Sequence, residues 1–146
     1  GSGGGVLTAW IIGHTERFRA AVVAKPVINW TSFALTADAY PFFTRYWFPA
    51  PPWEAQEHYW KRSPLAYVGN VTTPTLLITG EDDYRTPISE TEQYYQALQL
   101  RHIESAMLRI PGASHGINAR PSHMLAQVLN TLGWFERHAE PATTAR

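Results

Sequence analysis

The chain is 146 residues long, carries 12 basic and 12 acidic residues, and is 45% hydrophobic and 16% charged. Such a composition excludes disorder over most of the length, and the length suits one domain or part of one. The balanced charge gives no sign of a nucleic acid or an anionic membrane as partner, and no apolar run reaches the roughly 18 residues that span a bilayer. The absence of cysteine excludes disulfides and thiolate metal sites, and it fits a cytoplasmic protein.

The first half of the chain predicts a helix, a strand and a long irregular excursion. Residues 6–12 are apolar and predict a buried helix, and the β-branched run 18–24 predicts a strand. Residues 29–64 are predicted to be irregular, with one helix within 53–62. The reason is a set of prolines that interrupt any continuous element, namely Pro41, Pro49, Pro51 and Pro52.

The second half alternates regularly between strands and helices. The apolar run 74–79 predicts a strand buried on both faces, and residues 103–110 predict another strand. Helices are predicted over 89–100 and 124–138. The residues of the second helix that are expected to face inward are Leu125, Val128, Leu129, Leu132 and Trp134 or Phe135. This order of elements predicts an α/β fold, in which helices cover a mostly parallel sheet.

Two polar loops follow the two predicted strands of the second half. Asp83 follows the strand 74–79, and His115 follows the strand 103–110. Because the carboxyl ends of parallel strands meet at one edge of a sheet, both residues are expected in one site. A serine hydrolase needs an attacking hydroxyl, a proton-accepting imidazole and an orienting carboxylate. The chain order of α/β-hydrolases, serine then acid then histidine, assigns these roles to Ser2, His115 and Asp83.

Ser2 lies in the glycine run 1–5, directly before the first predicted helix. Ser2-Gly3-Gly4 matches the second half of the Gly-x-Ser-x-Gly elbow, in which small residues permit a strained turn. The backbone N–H of Gly3 would then supply one oxyanion-hole donor. Residues 1–5 also have the composition of an engineered flexible linker, and this alternative stays open.

Other polar and aromatic residues have more than one interpretation. Asp82 adjoins Asp83, and one of the two could simply cap a helix. Arg85 could hold a substrate carboxylate or carbonyl, or it could form a structural ion pair. The aromatic residues between Trp30 and Trp60 predict packing, an aromatic-lined substrate pocket, or both. The six histidines show no metal-ligand spacing, so no metal and no cofactor is expected.

Three runs resemble a known family: Gly-Glu-Asp-Asp-Tyr-Arg-Thr-Pro at 80–87, Pro-Gly-Ala-Ser-His-Gly at 111–116, and Arg-Pro-Ser-His at 120–123. With the helix and strand before them, they resemble the catalytic domain of the prolyl oligopeptidase family, and especially its acylaminoacyl-peptidase and dipeptidyl-peptidase-like branches. The resemblance covers about residues 2–138. It implies the C-terminal portion of an α/β-hydrolase fold over residues 1–140, with a frayed tail at 141–146.

The resemblance also implies what this stretch of sequence lacks. Family members carry a β-propeller and the N-terminal half of the hydrolase sheet upstream, and both are missing from the 146 residues. A second oxyanion donor, which normally comes from that upstream half, is therefore missing too. The family elbow is Gly-Gly-Ser-Tyr-Gly-Gly, so Ser2 falls on the nucleophile and Gly3 replaces the usual tyrosine.

Residues and resemblance together predict a serine peptidase that cleaves short peptides through an acyl-enzyme. The alternatives are an esterase or other acyl hydrolase on the same fold, and a non-catalytic fragment with a linker at residues 1–5. A sheet of three strands has an open edge and exposed apolar surface. The chain is therefore expected to pair with the missing N-terminal segment, to form a homo-oligomer, or to be poorly stable alone. Cooperative unfolding of the isolated monomer would contradict this expectation.

Overall fold

The computed structural model describes residues 1–139, in which three parallel strands form one sheet. The predicted frayed tail, 141–146, lies outside the described residues. The strands are β1 (Ala21–Ala24), β2 (Thr75–Gly80) and β3 (Ser105–Ile110), and β2 lies between the other two. Both pairings are parallel, which confirms the predicted α/β architecture.

The described residues form six α-helices around this sheet. The first precedes β1, three short ones fill the connection from β1 to β2, the fifth joins β2 to β3, and the last follows β3. They are α1 (Gly3–Ile12), α2 (Trp30–Thr36), α3 (Tyr40–Tyr46), α4 (Gln56–Trp60), α5 (Ile88–Leu100) and α6 (Pro121–His138). A 3-10 helix, Pro64–Asn70, lies between α4 and β2.

Both outer strands begin later than predicted, and one proline explains the later start of β1. β1 begins at Ala21 and β3 at Ser105, and both of these residues pair with Thr75, the first residue of β2. Pro74 precedes Thr75 and has no N–H to donate to a neighbouring strand. Its carbonyl accepts the N–H of Ala21 at 2.9 Å, so Pro74 faces β1, and the ladder between β1 and β2 starts after it.

The excursion between β1 and β2 is more helical than predicted. Only α4 falls within the predicted helix 53–62, and α2 and α3 lie in the stretch 29–64 that was expected to be irregular. Pro41 lies in the first turn of α3, and Pro64 begins the 3-10 helix. In the first turn of a helix the missing N–H of proline removes no intrahelical hydrogen bond. Pro41 and Pro64 therefore lie at helix starts, whereas Pro49, Pro51 and Pro52 separate α3 from α4 as predicted.

Both faces of the sheet are covered, and β2 is buried along its whole length. On one face Leu77 packs in a cluster with Ile12 of α1 and Leu98 of α5. On the other face Ile78 packs in a cluster with Trp134 of α6. The prediction of a strand buried on both faces is confirmed. The loop that follows β2 therefore extends from the most firmly packed strand of the sheet.

The prediction that α6 turns its large apolar residues inward is wrong except at Trp134, which is 8% exposed. The other residues of the set are exposed by 45% to 62%, and we call them the α6 apolar face: Leu125, Val128, Leu129, Leu132 and Phe135. α6 packs against the sheet along one side. Within residues 1–139, no second layer covers its remaining side.

Candidate active site

The carboxyl ends of the three strands bring three segments to one edge of the sheet. The acid loop, residues 80–87, follows β2, and the histidine loop, residues 111–116, follows β3. The two loops contact each other, because the N–H of Asp82 donates to the carbonyl of Ala113 at 3.0 Å. The start of α1 joins them, because the N–H of Ser2 donates to the carbonyl of Ala24 at 2.9 Å.

Ser2, His115 and Asp83 form one continuous chain of hydrogen bonds. His115 Nδ1 lies 2.8 Å from Asp83 Oδ2, and His115 Nε2 lies 3.1 Å from Ser2 Oγ. With the proton on Nδ1 donated to the carboxylate, Nε2 is free to accept the hydroxyl proton of Ser2. The three side chains that the sequence singled out are thus within hydrogen-bonding reach of one another.

The Asp83 carboxylate is held in place by its own loop. Asp83 is 2% exposed, and its Oδ1 accepts the backbone N–H groups of Arg85 at 3.0 Å and Thr86 at 2.9 Å. Its Oδ2 also accepts the hydroxyl of Thr86 at 3.1 Å. The neighbouring Asp82 is exposed. Of the two adjacent carboxylates, Asp83 is therefore the one that contacts His115.

Lys25 supports His115 from the end of β1, and the sequence analysis did not identify it. Its Nζ donates to the backbone carbonyl of His115 at 2.9 Å, while its own N–H donates to Ile78 at 2.8 Å. Lys25 has a φ of 48°, a backbone angle that residues other than glycine rarely adopt. Its position directly after a predicted strand, at the same sheet edge as Asp83 and His115, is the signal that could have found it.

The backbone at Ser2 has the strained conformation expected of a nucleophile elbow. Its φ is 54° and its ψ is −121°, although it is not glycine. Ser2 precedes the first residue of α1, Gly3, whose N–H has no acceptor inside the helix. Residues 3–5 form the first turn of α1, whereas a flexible linker has no fixed structure. Gly3 and Ser2 both line a cavity at this edge.

Gly5 lets α1 approach the end of β1. A Cβ atom at Gly5 would lie 2.3 Å from the carbonyl oxygen of Ala24, whereas a Cβ at Gly4 would have no neighbour within 4 Å. We expect Gly5→Ala to lower the free energy of unfolding by about 2 kcal/mol, because backbone atoms must move apart. Gly4→Ala is the matched control and is expected to be neutral or slightly stabilising. Urea denaturation measures both, and equal midpoints for the two variants would contradict the close approach.

A cavity of about 280 Å³ opens beside Ser2 and His115. Its wall is largely apolar. The residues that form it come from the segment that follows β1, from α2, and from α3 and the residue directly after it: Val27, Trp30, Phe33, Phe43 and Trp47. These rings also pack on one another, with centroid distances of 4.8 Å for Phe33–Phe43 and 4.5 Å for Phe43–Trp47. The aromatic residues thus serve both of the purposes that were left open, packing and the lining of a pocket.

Arg85 lines the same cavity and forms an ion pair at the surface. Its Nε lies 2.7 Å from Asp38 Oδ1, with the side chains 49% and 43% exposed. The hydrogen bond from Arg85 holds the pKa of Asp38 below its ordinary value, and Asp38 raises the pKa of Arg85. An exposed pair of this kind contributes at most about 1 kcal/mol. It ties the α2–α3 connection to the acid loop, because Asp38 N–H also donates to the Tyr84 carbonyl at 2.8 Å.

Comparison with known proteins adds to this geometry. The sequence model of the prolyl oligopeptidase family matches residues 1–142. The chain belongs to the prolyl oligopeptidase family. Among its relatives in the family, the uncharacterized peptidase YuxL of Bacillus subtilis (strain 168) is 39% identical over 140 residues, which cover 94% of this chain and 21% of YuxL. The acylamino-acid-releasing enzyme of Arabidopsis thaliana is 33% identical, over 96% of this chain and 19% of that enzyme. The chain therefore spans about a fifth of the length of these curated relatives.

Solved structures of the family share the fold. The uncomplexed acylaminoacyl peptidase of Pyrococcus horikoshii superposes with a TM-score of 0.89 at 27% identity, over 99% of this chain and 24% of that chain. An acylaminoacyl peptidase in complex with Z-Gly-Gly-Phe-chloromethyl ketone gives the same TM-score, identity and coverage. The predicted α/β-hydrolase fold and the predicted family are both confirmed.

None of the other histidines among residues 1–139 links a carboxylate to a serine hydroxyl, although His138 Nε2 lies 3.4 Å from Glu104 Oε2. His14 Nδ1 lies 2.7 Å from the carbonyl of Trp10, and His138 Nδ1 lies 2.8 Å from that of Trp134, each within its own helix or at its end. Residues 1–139 contain no group of three or more histidine or acidic side chains placed to hold a metal ion. In the same stretch, no helix is both long enough and apolar enough to cross a membrane.

Proposed function

We propose that Ser2, Asp83 and His115 are the catalytic triad of a serine peptidase that hydrolyses short peptides. Ser2 Oγ attacks the scissile carbonyl, and His115 Nε2 takes its proton and later returns it to the leaving amine. Asp83 holds the imidazole in the required tautomer and stabilises its charged form. The observation that carries the proposal is the hydrogen-bonded chain from Ser2 Oγ through His115 to Asp83 Oδ2.

In this proposal the start of α1 stabilises the negative charge that develops on the carbonyl oxygen. The N–H of Gly3 has no intrahelical acceptor and lies directly after the nucleophile, where an oxyanion donor is needed. Collapse of the tetrahedral intermediate expels the amine and leaves an acyl group on Ser2. Water activated by His115 then hydrolyses this ester.

The cavity beside Ser2 is proposed to receive the substrate side chain that precedes the scissile bond, and to favour large apolar ones. Its aromatic wall supports this choice. The chloromethyl ketone bound by the related acylaminoacyl peptidase carries phenylalanine next to its reactive carbon. Arg85, at the same cavity, is proposed to contact a substrate carbonyl or carboxylate with the face of its guanidinium that Asp38 leaves free.

An ester substrate is the alternative, because the same triad attacks both kinds of carbonyl. The family and its relatives are peptidases by name, which favours the amide. Comparing the turnover of an amide and an ester with the same acyl group, on the full-length protein that contains this chain, decides between them.

The test of the triad is covalent labelling of the full-length protein with a fluorophosphonate. We expect one adduct on Ser2, located by mass spectrometry of the digested protein, and no labelling of Ser2→Ala. Ser114→Ala is the matched control, because Ser114 is an exposed serine beside His115 and is expected to leave labelling intact. Peptide hydrolysis without an adduct on Ser2 would refute the assignment.

The α6 apolar face is proposed to be covered by the remainder of the hydrolase domain, with a homo-oligomer as the alternative. An exposed apolar face of this kind marks an interaction surface. The related structures, of which this chain covers about a quarter, have additional chain that could cover it. The lack of cysteine supports a cytoplasmic location for the protein.

A further inference from the structure

Glu90 is a buried acidic residue that takes no part in the proposed chemistry. It lies in the first turn of α5, and its exposed fraction is 0%. Burial raises the pKa of its carboxyl group above the ordinary value. A carboxyl group in such a place is tolerated only where polar groups contact it, so its partners indicate what it does.

Four donors converge on the Glu90 carboxylate. Its Oε2 accepts the backbone N–H groups of Ile28 at 2.9 Å and Asn29 at 2.8 Å. Its Oε1 accepts the hydroxyl of Ser32 and, at 3.4 Å, the side-chain amide of Gln93. Three of these partners lie about 60 positions earlier in the chain: Ile28 and Asn29 in the segment that joins β1 to α2, and Ser32 in the first turn of α2. Glu90 therefore acts as a cross-link between α5 and that segment.

The segment that Glu90 holds forms one wall of the cavity beside Ser2. Within residues 27–33, which we call the cavity wall, Val27, Trp30 and Phe33 line the cavity. The N–H groups of Ile28 and Asn29 come before the first turn of α2, so no carbonyl of that helix can accept them. The Glu90 carboxylate accepts both N–H groups. It therefore holds in place the backbone that carries the cavity-lining side chains of the cavity wall.

A second link joins the same two parts of the fold. Asn29 caps α2 by accepting the N–H of Thr31 at 3.1 Å, and its amide donates to Gln93 Oε1 at 3.1 Å. Gln93 also donates to Ser32 Oγ at 3.1 Å. Both Glu90 and Gln93 are on the helix that begins directly after the acid loop, so the cavity wall is connected to the segment that carries Asp83.

We infer that Glu90 is a positioning residue that holds the cavity wall and so sets the preference for large apolar side chains over small ones. This rests on the proposed function in one respect, namely that the cavity receives the substrate side chain. Removing the carboxylate leaves two backbone N–H groups without an acceptor. The cavity wall is then expected to move so that these groups can donate to water. A displaced wall loses its contacts with the phenylalanine side chain of a substrate. An alanine side chain makes few contacts with the wall, so its binding changes little.

Glutamine at this position separates positioning from charge. In Glu90→Gln the amide oxygen can still accept from Ile28 and Asn29, while the amide nitrogen can donate to Ser32 Oγ. Ser32 can then turn its hydroxyl to the Asn29 carbonyl, which already lies 3.1 Å away. The cavity wall is expected to keep its place in this variant. Glu90→Ala offers no acceptor and is expected to release it.

The test compares two peptide substrates that differ only in phenylalanine or alanine before the scissile bond, on the full-length protein. Glu90→Ala is expected to lower the ratio of kcat/KM for phenylalanine over alanine about tenfold. Glu90→Gln is expected to keep the wild-type ratio. If Glu90 were merely structural, both substrates would lose activity alike, and an unchanged ratio in Glu90→Ala would overturn the inference. Should Glu90→Ala not fold, Glu90→Asp, which shortens the reach by one methylene group, is expected to lower the ratio in the same direction, and an unchanged ratio would again overturn it.

A binding experiment separates this inference from the proposed chemistry. In Ser2→Ala protein, calorimetry compares benzyloxycarbonyl-Gly-Gly-phenylalaninol with the corresponding alaninol, neither of which has a carbonyl group at the scissile position. The phenylalanine ligand is expected to bind more tightly, and adding Glu90→Ala is expected to abolish the difference. If this holds while Ser2 of the wild type carries no fluorophosphonate adduct, the inference stands and the triad fails. If Ser2 is labelled and Glu90→Ala leaves the binding difference unchanged, the inference alone fails.

Discussion

Asp83→Asn is expected to lower kcat for peptide hydrolysis about 10⁴-fold in the full-length protein that contains this chain. The amide oxygen of asparagine can still accept hydrogen bonds from the backbone N–H groups of Arg85 and Thr86, so the loop stays in place. The amide nitrogen then faces His115 Nδ1, which must give up its proton to accept this new donor. The proton of the neutral imidazole moves to Nε2, and that nitrogen can no longer accept the hydroxyl proton of Ser2.

The adjacent carboxylate provides the control. Asp82→Asn removes the same charge one residue earlier, on an exposed side chain. It is expected to leave kcat near the wild-type value. Thermal unfolding of both variants shows whether the loop still folds. A similar loss of kcat in the two variants would mean that the acid loop matters through its charge and not through contact with His115.

Gly80→Ala is expected to lower the free energy of unfolding by about 3 kcal/mol. Gly80 is the last residue of β2, and a Cβ atom there would lie 2.1 Å from the carbonyl oxygen of Ala113. That carbonyl accepts the N–H of Asp82, so moving it breaks the contact between the acid and histidine loops. We expect activity to fall together with stability, because Asp83 and His115 separate.

Gly133→Ala makes the same chemical change where there is room for it. Gly133 lies within α6, and a Cβ atom there would have no neighbour within 4 Å. Replacing a helical glycine with alanine is expected to raise the free energy of unfolding by about 1 kcal/mol. Chemical denaturation of the full-length protein measures both variants. An unchanged or raised free energy of unfolding in Gly80→Ala would show that the close approach at Gly80 does not limit stability.

The scaffold of the site could be predicted from the sequence because it depends on local pattern and strand direction. The apolar run 74–79 is too short for a typical helix and too apolar for a half-exposed strand, so it predicts a central strand. Once the neighbouring strand 103–110 is parallel to it, the loops that carry Asp83 and His115 must leave from the same sheet edge. No information about side-chain packing is needed for that step.

What could not be predicted depends on partners that are distant along the chain. Glu90 has the sequence context of an exposed residue in a first helical turn, and its burial depends on backbone groups about 60 positions away. Lys25 reaches the carbonyl of His115, 90 positions away. The α6 apolar face has the pattern of a buried face, yet a pattern shows which residues favour burial and not whether a layer covers them.

The backbone of Ser2 has a consequence for how such a site is lost. A φ of 54° costs a residue with a side chain on the order of 1 kcal/mol, whereas glycine adopts it freely. If Ser2 is the nucleophile, as proposed, a mutation from serine to glycine at this position would be both inactivating and stabilising in a lineage that no longer needs hydrolysis. Decay of the enzyme would then begin with a gain in stability, and an inactive descendant would retain the fold with glycine at position 2.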